Sequence, residues 1–228
     1  MKSKINAYNM KHVLAFLSDL TLNNDRSWFQ ENKNRYDEIK KEHEVFLNTL
    51  IQAMSSIDPD LARLTAKDVV FRIYRDVRFS HDKSPYKTHV GAYLAKGGKK
   101  SSLAGYYIHL EPNNCFISGG LWCPETAVLR IVREDVYTNL DEFKAIVNHS
   151  TFSKYFKLED DKLKKVPANF PKDSPDSEWV KYKSYLATCK LPDQFFEDST
   201  LVEQSVKRME ALVPLVKFLN FSVTNHLD

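Results

Sequence analysis

The stretch Val69-Val70-Phe71-Arg72-Ile73-Tyr74-Arg75-Asp76-Val77-Arg78-Phe79, continuing as Ser80-His81-Asp82-Lys83-Ser84-Pro85-Tyr86-Lys87-Thr88-His89, decides the fold class. Ahead of Val69 the apolar residues recur at the helical period; from Val69 onward they recur at about every second residue, the period of a strand. Read as a strand, it turns Phe71, Ile73, Val77 and Phe79 to one side and Arg72, Tyr74, Asp76, Arg78 and Ser80 to the other. One face is core and the other cationic. Arg75 interrupts the apolar face, so it is either buried against a carboxylate or marks a change of register.

Working toward the N-terminus, Val13, Leu14, Phe16, Leu17 and Leu20 share one helical face. Asn23-Asn24-Asp25 breaks that helix. Ser27-Trp28-Phe29-Gln30 has the capping-box form that opens a second, long helix with the stripe Tyr36, Ile39, His43, Phe46, Leu47, Leu50, Ile51 and Met54. Working toward the C-terminus, the spacing predicts strands over Val69–Phe79, Thr88–Lys96, Gly105–Glu111 and Asn114–Gly119, joined by the turn sequences Gly97-Gly98-Lys99-Lys100 and Pro112-Asn113-Asn114. Helices follow from Pro124 and over Leu140–Val147. The polar, proline-punctuated Lys157–Pro192 reads as an ordered but irregular excursion, with Phe170, Trp179, Tyr182 and Tyr185 needing burial. Thr200-Leu201-Val202-Glu203 caps a last helix, kinked near Pro214. Strands and helices do not alternate. The fold class is therefore α+β, with N-terminal helices on a mainly antiparallel sheet and C-terminal helices completing a single domain over 1–228.

Composition narrows the function classes. The 228 residues are 43% apolar and 28% charged, the range of folded globular chains. The six glycines spell neither a dinucleotide-binding GxGxxG nor a GxxxxGK[ST] phosphate loop. Cys115, Cys123 and Cys189 form no CxxC pair and signal neither a disulfide framework nor a thiolate metal site. The apolar run Val13–Leu17 is too short for a signal-peptide core or a membrane span, so a soluble cytoplasmic protein is expected.

Charge is concentrated. Residues 61–100 hold ten Lys or Arg against three Asp, a balance of +7, whereas the whole chain carries +3. An arginine on a strand offers a planar fork that matches phosphate or carboxylate oxygens. Arg72, Arg78, Lys83, Tyr86 and Lys87 are the expected ligand-binding residues, for an anionic small molecule. Arg72 and Arg78 lie roughly 20 Å apart along a straight strand, so one small anion is held by both only if a bulge bends the chain. The competing reading is structural: the arginines pair internally with Asp76, Asp82 and helix carboxylates.

His89 and His109 are the acid-base candidates should they face these cations. His109-Leu110-Glu111 matches half of a zinc-deaminase signature, but Trp122-Cys123-Pro124 runs the wrong way for the other half. His81, Asp82 and His89 lack a metal-binding pattern, and neither a metal nor a cofactor is expected. Ser118-Gly119-Gly120 is a weak anion loop and a better close-packing signal. Tyr74, Tyr86, Tyr93, Tyr106 and Tyr107 beside the basic residues make a nucleic-acid-binding module the alternative function, although the modest net charge and the lack of a known binding motif weigh against it. A non-catalytic structural or interaction protein is the third reading.

The string Phe71 to His89, with Asn23-Asn24-Asp25-Arg26-Ser27-Trp28-Phe29, Tyr107-Ile108-His109-Leu110-Glu111-Pro112 and Gly119-Gly120-Leu121-Trp122, resembles the bacterial and fungal family of domain of unknown function 2461. The resemblance spans nearly the whole chain. It implies a single-domain α+β protein of the cytoplasm and brings no activity with it.

Overall fold

The computed structural model describes residues 9–227. Its helices are α1 (Lys11–Leu22), α2 (Arg26–Glu31), α3 (Lys33–Ser55), α4 (Ala66–Val69), α5 (Thr126–Thr138), α6 (Leu140–Asn148), α7 (Ser150–Ser153) and α8 (Leu201–Leu227). Its strands are β1 (Val90–Leu94), β2 (Gly105–Leu110), β3 (Cys115–Leu121), β4 (Lys157–Leu158) and β5 (Tyr185–Leu191), in an antiparallel sheet of order β1-β2-β3-β5-β4. The α+β class stands.

The chain forms two compact units. The first comprises residues up to Lys99 with Tyr107–Ile117 and Lys190–Lys207. The apolar faces of α1 and α3 pack on each other, burying Val13, Phe16, Leu17, Phe46, Leu47 and Leu50 completely. Asp25, rather than Ser27, caps α2 by accepting from the amides of Ser27 and Trp28. The long helix expected from Ser27 is interrupted at Asn32, which ends α2 and starts α3. The second unit comprises Lys100–Tyr106, Ser118–Cys189 and the chain from Arg208. Its aromatic centre is Phe143, with Trp179, Tyr185 and Phe218 each 5.5–5.7 Å away between ring centroids. Helix α8 runs through Pro214.

Two further expectations need correction. Val69–Phe79 is not a strand. Thr65 and Asp68 form a capping box, which draws Ala66–Val69 into a helical turn. Beyond it the chain keeps only the bridges Val70 to Ala92 and Tyr74 to Tyr86. Asp76 then accepts from the Arg78 amide and Asp82 from the Ser84 amide, local bonds that compete with a ladder and end it. The second correction is β5, which lies inside the stretch read as irregular. Tyr185, Leu186 and Ala187 are all buried, so the strand shows no alternation to betray it. The glycine pair lies within β3, where the close-packing reading stands. A Cβ on Gly119 would meet Leu212 at 2.6 Å, and one on Gly120, at φ +123°, would meet the Tyr185 carbonyl oxygen at 2.1 Å. These glycines serve close packing.

Candidate functional site

The site lies in the first unit and begins with an irregularity. Between the bridges Val70–Ala92 and Tyr74–Tyr86 the outgoing chain spends three residues and the returning chain five. The two extra residues make a bulge, and a bulge re-aims the side chains it contains. His89 is the middle residue of those five.

The expected ligand-binding residues divide over this ribbon. Arg72 is exposed and, among the described residues, has no hydrogen bond or ion pair, although its charge reaches Asp76 and Lys87. Lys87 is half-buried over the Phe71 ring, 5.6 Å from its centroid, and burial followed by the Arg72 charge lowers its pKa. Arg78 spends its guanidinium on Asp76, at 2.9 and 2.6 Å. Lys83 donates to the Val77 carbonyl at 3.0 Å. Arg75 pairs with Asp82 and donates to the Ser84 carbonyl, which explains its place in the apolar pattern. Tyr86 is buried, stacked on Phe29 at 3.9 Å, and belongs to the core.

Arg72 borders a cleft of about 370 Å³ between α3 and residues 70–74. Val13, Ile39, Val70, Phe71, Ile73 and Val90 supply its apolar lining, and Lys40, Lys67, Arg72 and Lys99 bring positive charge against the single carboxylate of Glu44. Lys40 lies 3.8 Å from Glu44, and Lys99 donates to the Lys67 carbonyl. Two further polar groups line it. Tyr36 is pushed up to about 12, mainly by burial, and so keeps its proton as a donor. His43 is buried, burial pushes it down to about 4, and its Nε2 has no hydrogen-bond partner. A buried, unsatisfied ring nitrogen at a cleft costs free energy that an incoming group can recover.

Phe71 joins this cleft to a second cluster, since its ring lies 6.3 Å from that of Tyr107. Tyr107 and His109 share one face of β2, and Glu111 follows at the same period. The Tyr107 hydroxyl lies 3.0 Å from His109 Nδ1, and His109 Nε2 lies 3.3 Å from Glu111 Oε2. Asn114 donates to the same carboxylate at 2.6 Å, and Thr88 to its other oxygen at 3.3 Å. The His89 ring stands 4.5 Å from His109, which also stacks on Phe116 at 4.4 Å. Gly91 makes room for this arrangement, because a Cβ there would sit 2.2 Å from the Tyr107 hydroxyl. His89 is pushed down to about 4, first by burial and then by the charge of His109; burial also lowers His109. Burial alone would raise Glu111, but hydrogen bonds from Asn114 and His109 hold it below the ordinary carboxylate range.

Sequence reasoning reached His89, His109 and Arg72, and Tyr107 only as a stacking residue, but passed over Glu111 as a ligand group, Asn114, and His43, Lys40, Lys67 and Lys99 as site residues. The alternation Tyr107-x-His109-x-Glu111 was the available signal for the cluster. The cleft had none, because it joins a helix to an irregular segment, and neither period reports how the two face each other.

A family model described as a conserved hypothetical protein (DUF2461) matches residues 12–218, and the chain belongs to that family. No curated protein and no solved structure matches it. No helix among the described residues is long and apolar enough to cross a membrane.

Proposed function

We propose that this member of the DUF2461 family binds a small anionic molecule, bearing phosphate or carboxylate, in the cleft between α3 and residues 70–74. The observation that carries the proposal is the lining itself: four cations against one carboxylate around an apolar floor, with the unpartnered Nε2 of buried His43. A pocket that is mostly apolar, with a few convergent polar groups, is the usual form of a small-molecule site. Arg72 supplies the fork for anionic oxygens, Lys67 and Lys99 add charge, and Lys87 extends the positive field past Phe71. Arg78 and Lys83 act on the neighbouring loop, where their donors are already engaged, and Tyr86 holds the ribbon against α2.

Thermal shift against inorganic phosphate, sugar phosphates, nucleotides and dicarboxylates tests the proposal. A ligand at about 100 times its Kd adds roughly 2.7 kcal/mol, a shift of several degrees. Arg72→Ala should lose that shift while its own Tm stays within about a degree of wild type. A shift retained by the variant, or absent from wild type with every anion, contradicts it.

One observation favours nucleic acid as the second reading. Phe79 is 96% exposed with Arg78 over its ring, and Tyr74 and Phe71 are also exposed, so rings and cations alternate on this surface. Under that reading a short single-stranded oligonucleotide binds with a steep negative salt slope, which a small enclosed anion site does not show.

A further inference from the structure

We propose that His89, His109 and Glu111 form a binding site for a zinc-class divalent cation. Their ligand atoms all lie within 4.8 Å of one another. One pair, His109 Nε2 and Glu111 Oε2, is 3.3 Å apart, which matches the separation of about 3.4 Å for two ligands on one tetrahedral zinc at about 2.1 Å each. Two imidazoles and a carboxylate are the donor set that such an ion prefers, and three protein ligands leave a position open for water or an anion.

The surroundings fit the same assignment. A ligating histidine generally hands its other ring N–H to an oxygen, which fixes the ring. The Tyr107 hydroxyl stands 3.0 Å from His109 Nδ1, where it can accept that proton in the tautomer that frees Nε2, so that a metal takes the place of the Nε2–H bond to Glu111. Asn114 and Thr88 hold the Glu111 carboxylate from both sides. Phe116 fixes the His109 ring by stacking. The bulge between the two bridges delivers His89 to the cluster, where a ladder residue would instead alternate in register. No metal is expected from the sequence, because His109-x-Glu111 lacks its deaminase partner motif and His81, Asp82 and His89 lack a metal-binding pattern; the cluster instead joins His89 to His109 and Glu111, twenty and twenty-two residues further on. This assignment replaces the acid-base role first expected of the two histidines.

Isothermal titration of the untagged full chain with ZnCl₂ in phosphate-free buffer tests the site. One ion per chain should bind, and His89→Ala and Glu111→Gln, both at half-buried positions, should each weaken binding at least tenfold while keeping the wild-type circular dichroism. Absorption of the Co²⁺-loaded wild type keeps the test open should a variant fail to fold. Nitrogen and oxygen ligation gives d–d bands without sulfur-to-cobalt charge transfer, whereas charge transfer would assign the ion to Cys115, Cys123 or Cys189 and overturn the proposal. Absence of binding by wild type at millimolar zinc, or affinities within twofold of wild type in both folded variants, would overturn it equally.

Discussion

The side-chain amide of Asn24 closes on the backbone of Tyr86 from both sides: its Oδ1 accepts from the Tyr86 amide at 3.1 Å, and its Nδ2 donates to the Tyr86 carbonyl at 3.0 Å. A side chain thus does the work of a paired strand. The clamp fixes the returning half of the ribbon at the residue that bridges Tyr74, two positions from the start of the outgoing half's cationic site residue Arg72. Tyr86 is pressed at the same time against Phe29 of α2, so the Asn23-Asn24-Asp25 break between helices and the basic ribbon form one piece of structure.

Asn24→Ala therefore leaves a part-buried amide and carbonyl without partners. It should lower stability by about 1–3 kcal/mol, read as a lower urea midpoint at unchanged slope. Asn24→Asp, which keeps the acceptor and loses the donor, should fall between the two. Stability equal to wild type in Asn24→Ala would show that the clamp is not what holds the ribbon.

The buried His43 makes stability depend on pH. The unfolded chain takes up its proton near 6.5, and the folded chain only near 4. Below 6.5 the unfolded state therefore binds more protons, and the folded state loses stability as pH falls toward 4 and keeps it above 6.5. The full effect is roughly 3 kcal/mol. His43→Leu should make the stability curve less steep between those limits, leaving the contributions of His89, His109 and the carboxylates in place; parallel curves for the two proteins would place His43 outside this effect. Lys40, Glu44, Lys67, Arg72 and Lys99 share the cleft with His43, so ligand binding and this titration should also be coupled.

We propose further that the two compact units unfold as one domain. The chain passes between them after Lys99, Tyr106, Ile117, Cys189 and Lys207, and β2, β3 and β5 each carry residues of both. Neither unit is a continuous piece of sequence. Calorimetry should give one transition whose van't Hoff and calorimetric enthalpies agree, and two resolved transitions would contradict this.

Much of the fold was legible because periodicity reports burial. Val13 to Leu20, the α3 stripe and the alternation in β2 each present one apolar face, and each element formed. The reading failed where a side chain competed with the backbone. Thr65 and Asp68 made a helical turn of a strand-like run, and Asp76 and Asp82 captured amides that a ladder needed. It failed again at Tyr185–Leu191, where burial on both faces erases alternation. At the site, Arg72, His89 and His109 stood out because charge and imidazole are rare on strands. Arg78 carried the same signal, yet Asp76, two residues away, takes its guanidinium. Composition cannot distinguish an arginine facing a cleft from one folded onto its neighbour.

The measurement that tests the anion cleft most directly is a nuclear magnetic resonance titration of the protein labelled with ¹⁵N in histidine and arginine, using inorganic phosphate, a sugar phosphate and a dicarboxylate in turn. The account predicts that at least one of these moves the His43 ring nitrogens and the Arg72 Nε together, saturably, while Arg78 stays in place against Asp76. Saturable changes confined to Arg78, or no change at His43 and Arg72 with any of the three anions, would contradict it.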